Sequence, residues 1–347
     1  MSSTDLSAVL VGYGSIGRFH ARVLSQRYPR LAIVDSSESV RMEAAQAYPG
    51  VAVAESLADL ATGDWPWETT LAVIATWGPS HAPIFHDLSE LGVLRVLCEK
   101  PLANSVRAGY EMVAAASDKG IALGVHQHLR YSGFVPGLRT LAGKLGLGEP
   151  TTMFVQGGAI GLVNRGIHWI DVACELFGRG PESVVGSVTG QPINPRSSEL
   201  MFYGGTAAWD FGDGREASFS LTNGSSVDST VHVFYRNAVV EVHKSLNLKV
   251  RTRTPSQVEA HPQVTRVGDA AEVVFDGPLD GVRPSGERTN LLLDEIEAGR
   301  VEVFPPELAL QALGACIGAI AAGRDRRAVS LPIDPESEIG RTEWPIS

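Results

Sequence analysis

Val11-Gly12-Tyr13-Gly14-Ser15-Ile16-Gly17 decides how the first third of this chain folds. A continuous apolar run, residues 8–11, stands before it, and residues 16–26 after it carry a helical pattern of apolar positions. Between a strand and a helix, the GxGxxG spacing has a mechanical meaning. The glycines allow a tight turn, a close backbone approach to a pyrophosphate, and close packing of helix on strand. The helix N-terminus adds unpaired N–H groups and a positive dipole end for phosphate. Gly12, Tyr13, Gly14, Ser15, Ile16 and Gly17 are therefore expected to hold a dinucleotide. Asp35 ends the second apolar run, residues 31–34, where a carboxylate accepts bonds from both ribose hydroxyls and repels a 2′-phosphate. Ser36 and Ser37 follow where an NADP-binding chain often places an arginine, so the expected cofactor is NAD.

Outward from that turn, short apolar runs at 51–53, 71–75, 94–98 and 121–125 alternate with helical patterns at 39–48, 80–91 and 105–119. Apolar strands alternating with helices imply an α/β domain, a doubly wound parallel sheet covered on both faces. This Rossmann domain is placed at residues 1–125. The rhythm then changes to strand-like runs at 151–156, 183–189, 206–211, 217–221, 231–235, 238–242 and 246–253. They are separated by Gly, Asn, Asp and Pro. Helical patterns lie within 126–148, at 164–176 and at 306–322, with a short strand at 329–332. Residues 126–347 are thus read as an α+β domain with a large, mostly antiparallel sheet.

The chain has 347 residues, 44% of them hydrophobic, enough for one or two cores. No apolar run approaches the roughly 20 residues needed to cross a bilayer, and residues 1–14 lack the features of a secretory signal. Cys98, Cys174 and Cys316 have neither pair nor metal spacing, which suits a reducing cytoplasm. A net charge of −10 argues against nucleic acid or an anionic membrane as partner. It is compatible with a neutral or cationic small ligand, and equally with solubility alone. Lysine occurs five times, at 100, 119, 144, 244 and 249.

Cys98-Glu99-Lys100-Pro101 leaves the end of the fifth run, and ligands of doubly wound sheets bind beyond such carboxyl ends. A strand-end lysine is ordinarily a solvated charge. Lys100, however, is the only lysine in the first 118 residues, and an ammonium can donate as a compact point where a guanidinium cannot. In Asn164-Arg165-Gly166-Ile167-His168-Trp169-Ile170-Asp171, His168 reads either as an acid/base on a helix face or as a core histidine. Asp171, one turn on, shares about the same face.

Residues 12–21, Ala75-Thr76-Trp77-Gly78-Pro79-Ser80-His81 and Glu99-Lys100-Pro101 together resemble the Gfo/Idh/MocA oxidoreductases, the glucose–fructose oxidoreductases and inositol dehydrogenases among them. The resemblance implies an NAD-dependent enzyme acting on CH–OH groups, with a sugar, amino sugar (an aminoglycoside included) or cyclitol as substrate. It assigns Lys100 as the catalytic lysine, with a cis Lys100-Pro101 peptide in view, and His168 as acid/base. Asp171, Asn164, Arg130 and Trp77 become substrate contacts; Thr76, Trp77, His81, Glu99 and Lys100 join the cofactor set. No metal is implied. Asn164 departs from the family's aspartate, Trp77 from its frequent proline, and His128-Leu129 from its Asn-Arg. A homodimer or homotetramer through the C-terminal sheet is expected. Two rivals stay open: an enzyme that oxidises and re-reduces one sugar on tightly bound NAD, and a non-catalytic NAD-binding regulator.

Overall fold

The computed structural model describes residues 6–158, 161–188, 199–222, 225, 227–262 and 271–346. Contacts divide the chain into two compact units, both discontinuous: Met1–Tyr131 with Pro284–Leu313 and Asp334–Ser347, and Ser132–Arg283 with Gly314–Ile333. Sequence reading placed one boundary after residue 125. In the structure the first unit also takes in 126–131 and two returning segments.

In the first unit, β1 (Ser7–Val11), α1 (Ser15–Arg27), β2 (Arg30–Val34), α2 (Glu38–Ala47), β3 (Ala52–Ala54), α3 (Leu57–Ala61), β4 (Thr70–Ile74), α4 (Gly78–Glu90), β5 (Arg95–Cys98), α5 (Val106–Lys119) and β6 (Ala122–Val125) follow in order. The six strands are parallel in the order β3-β2-β1-β4-β5-β6, the doubly wound arrangement expected. Every residue of β1, β4 and β6 is buried, as a sheet covered on both faces requires. α5 shows why the helices stop where they do. Ser105 caps its start by accepting from Ala108 N–H, and left-handed Gly120 closes its end.

The second unit contains α6 (Phe134–Leu145), β7 (Pro150–Gly158), α7 (Gly166–Phe177), β8 (Ser183–Val188), β9 (Gly205–Asp210), β10 (Glu216–Thr222), β11 (Thr230–Tyr235), β12 (Ala238–Val242), β13 (Asn247–Thr252), α8 (Pro255–Ala260) and β14 (Glu272–Pro278). The chain then enters α9 (Ser285–Glu297) of the first unit, α10 (Pro306–Asp325), β15 (Val329–Ser330) and α11 (Glu338–Arg341). Nine strands form one sheet, β14-β13-β12-β11-β7-β10-β9-β8-β15, antiparallel except where β10 lies parallel to β7. Alternating burial along β11, β12 and β10 gives it one packed and one open face.

Among the described residues α10 is the one helix long and apolar enough, by length and composition, to cross a membrane. The sequence reading had found no apolar run of that size. Its side chains are core instead: Leu313, Cys316, Ile317, Ala319 and Ala321 are fully buried.

Candidate active site

The cradle at the end of β1 is shaped by missing side chains. Gly12 sits at φ +93°, and a Cβ there would lie 2.8 Å from Ala75 O and from Thr76 Cγ2. A Cβ on Gly17 would lie 2.1 Å from Gly12 O. On Gly14 it would meet nothing within 4 Å, so the turn is closed on one side and open on the other. No side chain caps α1 at Gly14, which leaves the N–H groups of its first turn for an anion. The chain fits a dinucleotide's pyrophosphate at this point. Overpacking costs about 1–3 kcal/mol in an ordinary core, so Gly17→Ala is expected to lower Tm and weaken NAD binding at least roughly tenfold. Calorimetric titration with NAD checks it; an unchanged Kd would remove the cradle from the site.

Asp35 follows β2 and is held by backbone donors: Tyr13 N–H reaches Oδ2 at 2.8 Å and Ser37 N–H reaches Oδ1 at 3.0 Å. Each carboxylate oxygen keeps further lone-pair capacity for a ribose hydroxyl. The sequence reading looked for an arginine only at 36 and 37 and missed Arg41. Its guanidinium donates to Asp35 O (2.8 Å) and Ser36 O (2.9 Å), and to Glu55 at 3.2 Å. That cation is committed to two carbonyls beside a carboxylate, an arrangement that favours a free 2′-hydroxyl over a phosphate. NAD is therefore expected to bind more tightly than NADP, with Asp35→Ala plus Ser36→Arg narrowing or reversing the preference. Tighter NADP binding by the unaltered chain would overturn this.

Beyond β4 and β5 lies the second half of this site. Trp77, 43% exposed, is the residue before α4, and Ser80 Oγ lies 2.8 Å from both Thr76 Oγ1 and Trp77 O. His81 is fully buried, with Nδ1 2.8 Å from Pro101 O and Nε2 3.1 Å from Thr76 O. Burial lowers its pKa, while the two carbonyl oxygens that face its ring nitrogens act in the opposite direction. His81 thereby ties the turn after β5 to the loop before α4. Lys100 is half-buried and its peptide to Pro101 is cis.

Glu99, by contrast, is 5% exposed and lies between two imidazoles, His20 Nε2 at 2.7 Å and His126 Nδ1 at 2.8 Å. Burial by itself would raise its pKa; the two rings, His126 foremost, hold it well below the usual carboxylate range. With Glu99 ionised, both rings donate to it. His20 keeps a lowered pKa, chiefly from burial. Sequence reading missed both histidines. The signal for His20 was present: it falls on the buried stripe of α1 with Gly17, Ala21 and Leu24, where a polar residue needs a buried partner. His128 is pushed down to about 4 by burial and by the positive charges of its neighbours. Arg130 lies in a short 3₁₀ turn with its guanidinium 5.3 Å from the centre of the Phe304 ring.

In the second unit, α7 is buried at eleven of its twelve positions. It carries His168 (9% exposed) and Asp171 (1%) three residues apart. The expected helix over 164–176 starts later: Gly161–Arg165 is a turn of π-helix, and α7 begins at Gly166. Asn164 thus stands in that wider turn, a feature common at functional sites.

A six-stranded doubly wound sheet with a glycine cradle and a strand-end aspartate is the architecture of a dinucleotide-binding protein. The model of the oxidoreductase family GFO_IDH_MocA, described by its NAD-binding Rossmann fold, matches residues 6–127. An inositol 2-dehydrogenase of Rubrobacter xylanophilus is 33% identical over 120 residues, which are 34% of this chain and 33% of that relative. Over nearly the whole length the fold is that of GenD2 from gentamicin A biosynthesis, solved with NAD: TM-score 0.73, 21% identity, covering 95% of this chain and 97% of that one. The WlbA dehydrogenase from Bordetella pertussis, solved with NADH and UDP-GlcNAcA, is similar at TM-score 0.71 and 19% identity, covering 96% and 100%.

Proposed function

We propose that this chain is an NAD-dependent dehydrogenase transferring a hydride between NAD and a secondary alcohol of a sugar, amino sugar or cyclitol. What carries the reading is the gathering of the cradle, Asp35, the Thr76–Trp77 loop and Lys100 beyond the carboxyl ends of β1, β2, β4 and β5. The N–H groups of α1 and the Asp35 carboxylate hold the dinucleotide, which when bound takes up the hydride. Lys100 donates to the reacting hydroxyl and stabilises its alkoxide character. His168 accepts the proton, for which an imidazole with an ordinary pKa of about 6.5 is suited near neutrality. Asp171, Asn164, Arg130 and Trp77 bind the rest of the substrate. Incubating the protein with NAD and a panel of cyclitols, nucleotide sugars, neutral sugars and amino sugars tests this. NADH formed with one class supports the reading. Altered sugar without net NADH points to internal oxidation and reduction, and NAD binding without any turnover points to a regulator.

Within that panel, an amino sugar is favoured by the net charge of −10 and by the buried carboxylate of Asp171 near His168 on α7. The likeness to GenD2 of gentamicin A biosynthesis supports the same class. A cation drawn in by this field is expected to show a KM that rises with ionic strength. A best substrate without positive charge and with salt-independent kinetics would exclude it.

The open face of the nine-stranded sheet, where Val185 and Phe234 are 53% and 40% exposed, supports a homodimer or homotetramer, read by light scattering in solution. Three buried free thiols support a reducing, cytoplasmic setting.

A further inference from the structure

Behind Lys100 lies a chain of buried polar side chains that the proposed chemistry leaves unused. His20 on α1, Glu99 after β5, His126 after β6 and Thr289 on α9 are 1%, 5%, 8% and 0% exposed. His20 Nε2 and His126 Nδ1 both donate to Glu99 Oε1, at 2.7 and 2.8 Å. The other carboxylate oxygen, Oε2, accepts the backbone N–H of Lys100 at 3.2 Å. His126 is fixed in turn: its Nε2 lies 3.0 Å from Thr289 Oγ1, and its backbone N–H donates to Cys98 O at 2.8 Å. A buried carboxylate is costly unless its lone pairs are used, and here three donors set its orientation. On the far side of the same turn, His81 Nδ1 holds Pro101 O at 2.8 Å. The backbone of Lys100 is therefore anchored at its own N–H and again one residue later.

Resting on the reading of Lys100 as the group that meets the reacting hydroxyl, we propose that His126 is a positioning residue for the Lys100 ammonium, acting through Glu99 and locked by Thr289. His20, Glu99 and His126 also have the composition of a metal-binding set. Their donor–acceptor separations of 2.7 and 2.8 Å are hydrogen-bond lengths. They are shorter than the roughly 3.3 Å between ligand atoms around a tetrahedral zinc ion.

The test needs one readout that does not depend on turnover. With five lysines in the chain, reductive methylation with ¹³C-formaldehyde gives a small, assignable set of dimethyl-lysine resonances. His126→Asn and the near-isosteric Thr289→Val are each expected to shift the Lys100 resonance and leave the other four in place. In turnover, His126→Asn is expected to lower kcat about tenfold or more with the NAD Kd essentially unchanged, and to add nothing in a Lys100→Met background. An unmoved Lys100 resonance in both variants, or an equal fold-loss of kcat in both backgrounds, overturns the proposal. So does one equivalent of Zn²⁺ bound by the unaltered protein and lost in His126→Asn. If no sugar is turned over while the Lys100 resonance alone moves, the dehydrogenase reading fails and the positioning role stands.

Discussion

Lys100→Met is expected to keep NAD binding within about twofold and to lose kcat by about 10²–10³, the cost of removing one preorganised donor from a transition state. The separation follows from where the residue stands. The cradle and Asp35 sit at the ends of β1 and β2, while Lys100 follows β5, two strands from β1 in the sheet order. Its loss leaves the phosphate and ribose contacts intact. Lys100→Arg is expected to fail nearly as badly, because a planar fork cannot place one proton where a compact ammonium does. Steady-state kinetics beside a direct NAD titration decide the matter. An Arg variant with near-normal kcat would return Lys100 to the ordinary solvated lysines.

His168→Ala is expected to remove about 10²–10⁴ of the oxidation rate, the usual share of a general base, with cooperative unfolding retained. The instructive companion is Asn164→Asp. An oxidation that needs a neutral imidazole runs faster as pH rises through the imidazole pKa. A carboxylate near the ring stabilises the charged form and raises that pKa. The rising limb of kcat/KM against pH should therefore move to higher pH in Asn164→Asp, and the plateau should survive. Near-full activity of His168→Ala across pH would place the base elsewhere and leave His168 a core histidine of α7. A limb that moves downward in Asn164→Asp would show that position 164 does not act on the imidazole.

The first unit was legible because its signals are redundant. The apolar runs within β1, β4 and β6, the helical patterns between them and the glycine turn all point to one architecture, and the strand order confirmed it. What escaped was non-local. α9 reads as a short leucine cluster inside a polar stretch, and nothing in its own sequence says that it packs on β5 and β6. β14 was missed because it is an edge strand with exposed residues at most positions, so burial imposes little alternation on it. The late start of α7 depends on a π turn that leaves no mark in apolar spacing. At the site, the residue types of Glu99 and His126 were plain, yet their pairing was not. It joins three segments 27 and 79 positions apart in the chain, and only the fold closes that distance.

Gly124 shows what the returning segment means for the protein as an assembly of parts. A Cβ on that strand residue would fall 2.6 Å from Ile296 Cδ1 and 2.7 Å from Leu292 Cδ1, so β6 has given up a side chain to admit a helix more than 150 positions downstream. Leu292 and Ile296 are completely buried there. During synthesis the dinucleotide-binding half must wait, with that groove uncovered, while Ser132–Arg283, which carries eight of the nine strands of the other sheet, leaves the ribosome first. It follows that the nucleotide-binding part cannot be transplanted as a cassette cut at residue 125. Recombination that swaps the sheet domain must preserve the downstream helix along with the N-terminal strands, and the natural unit of exchange is an interrupted one.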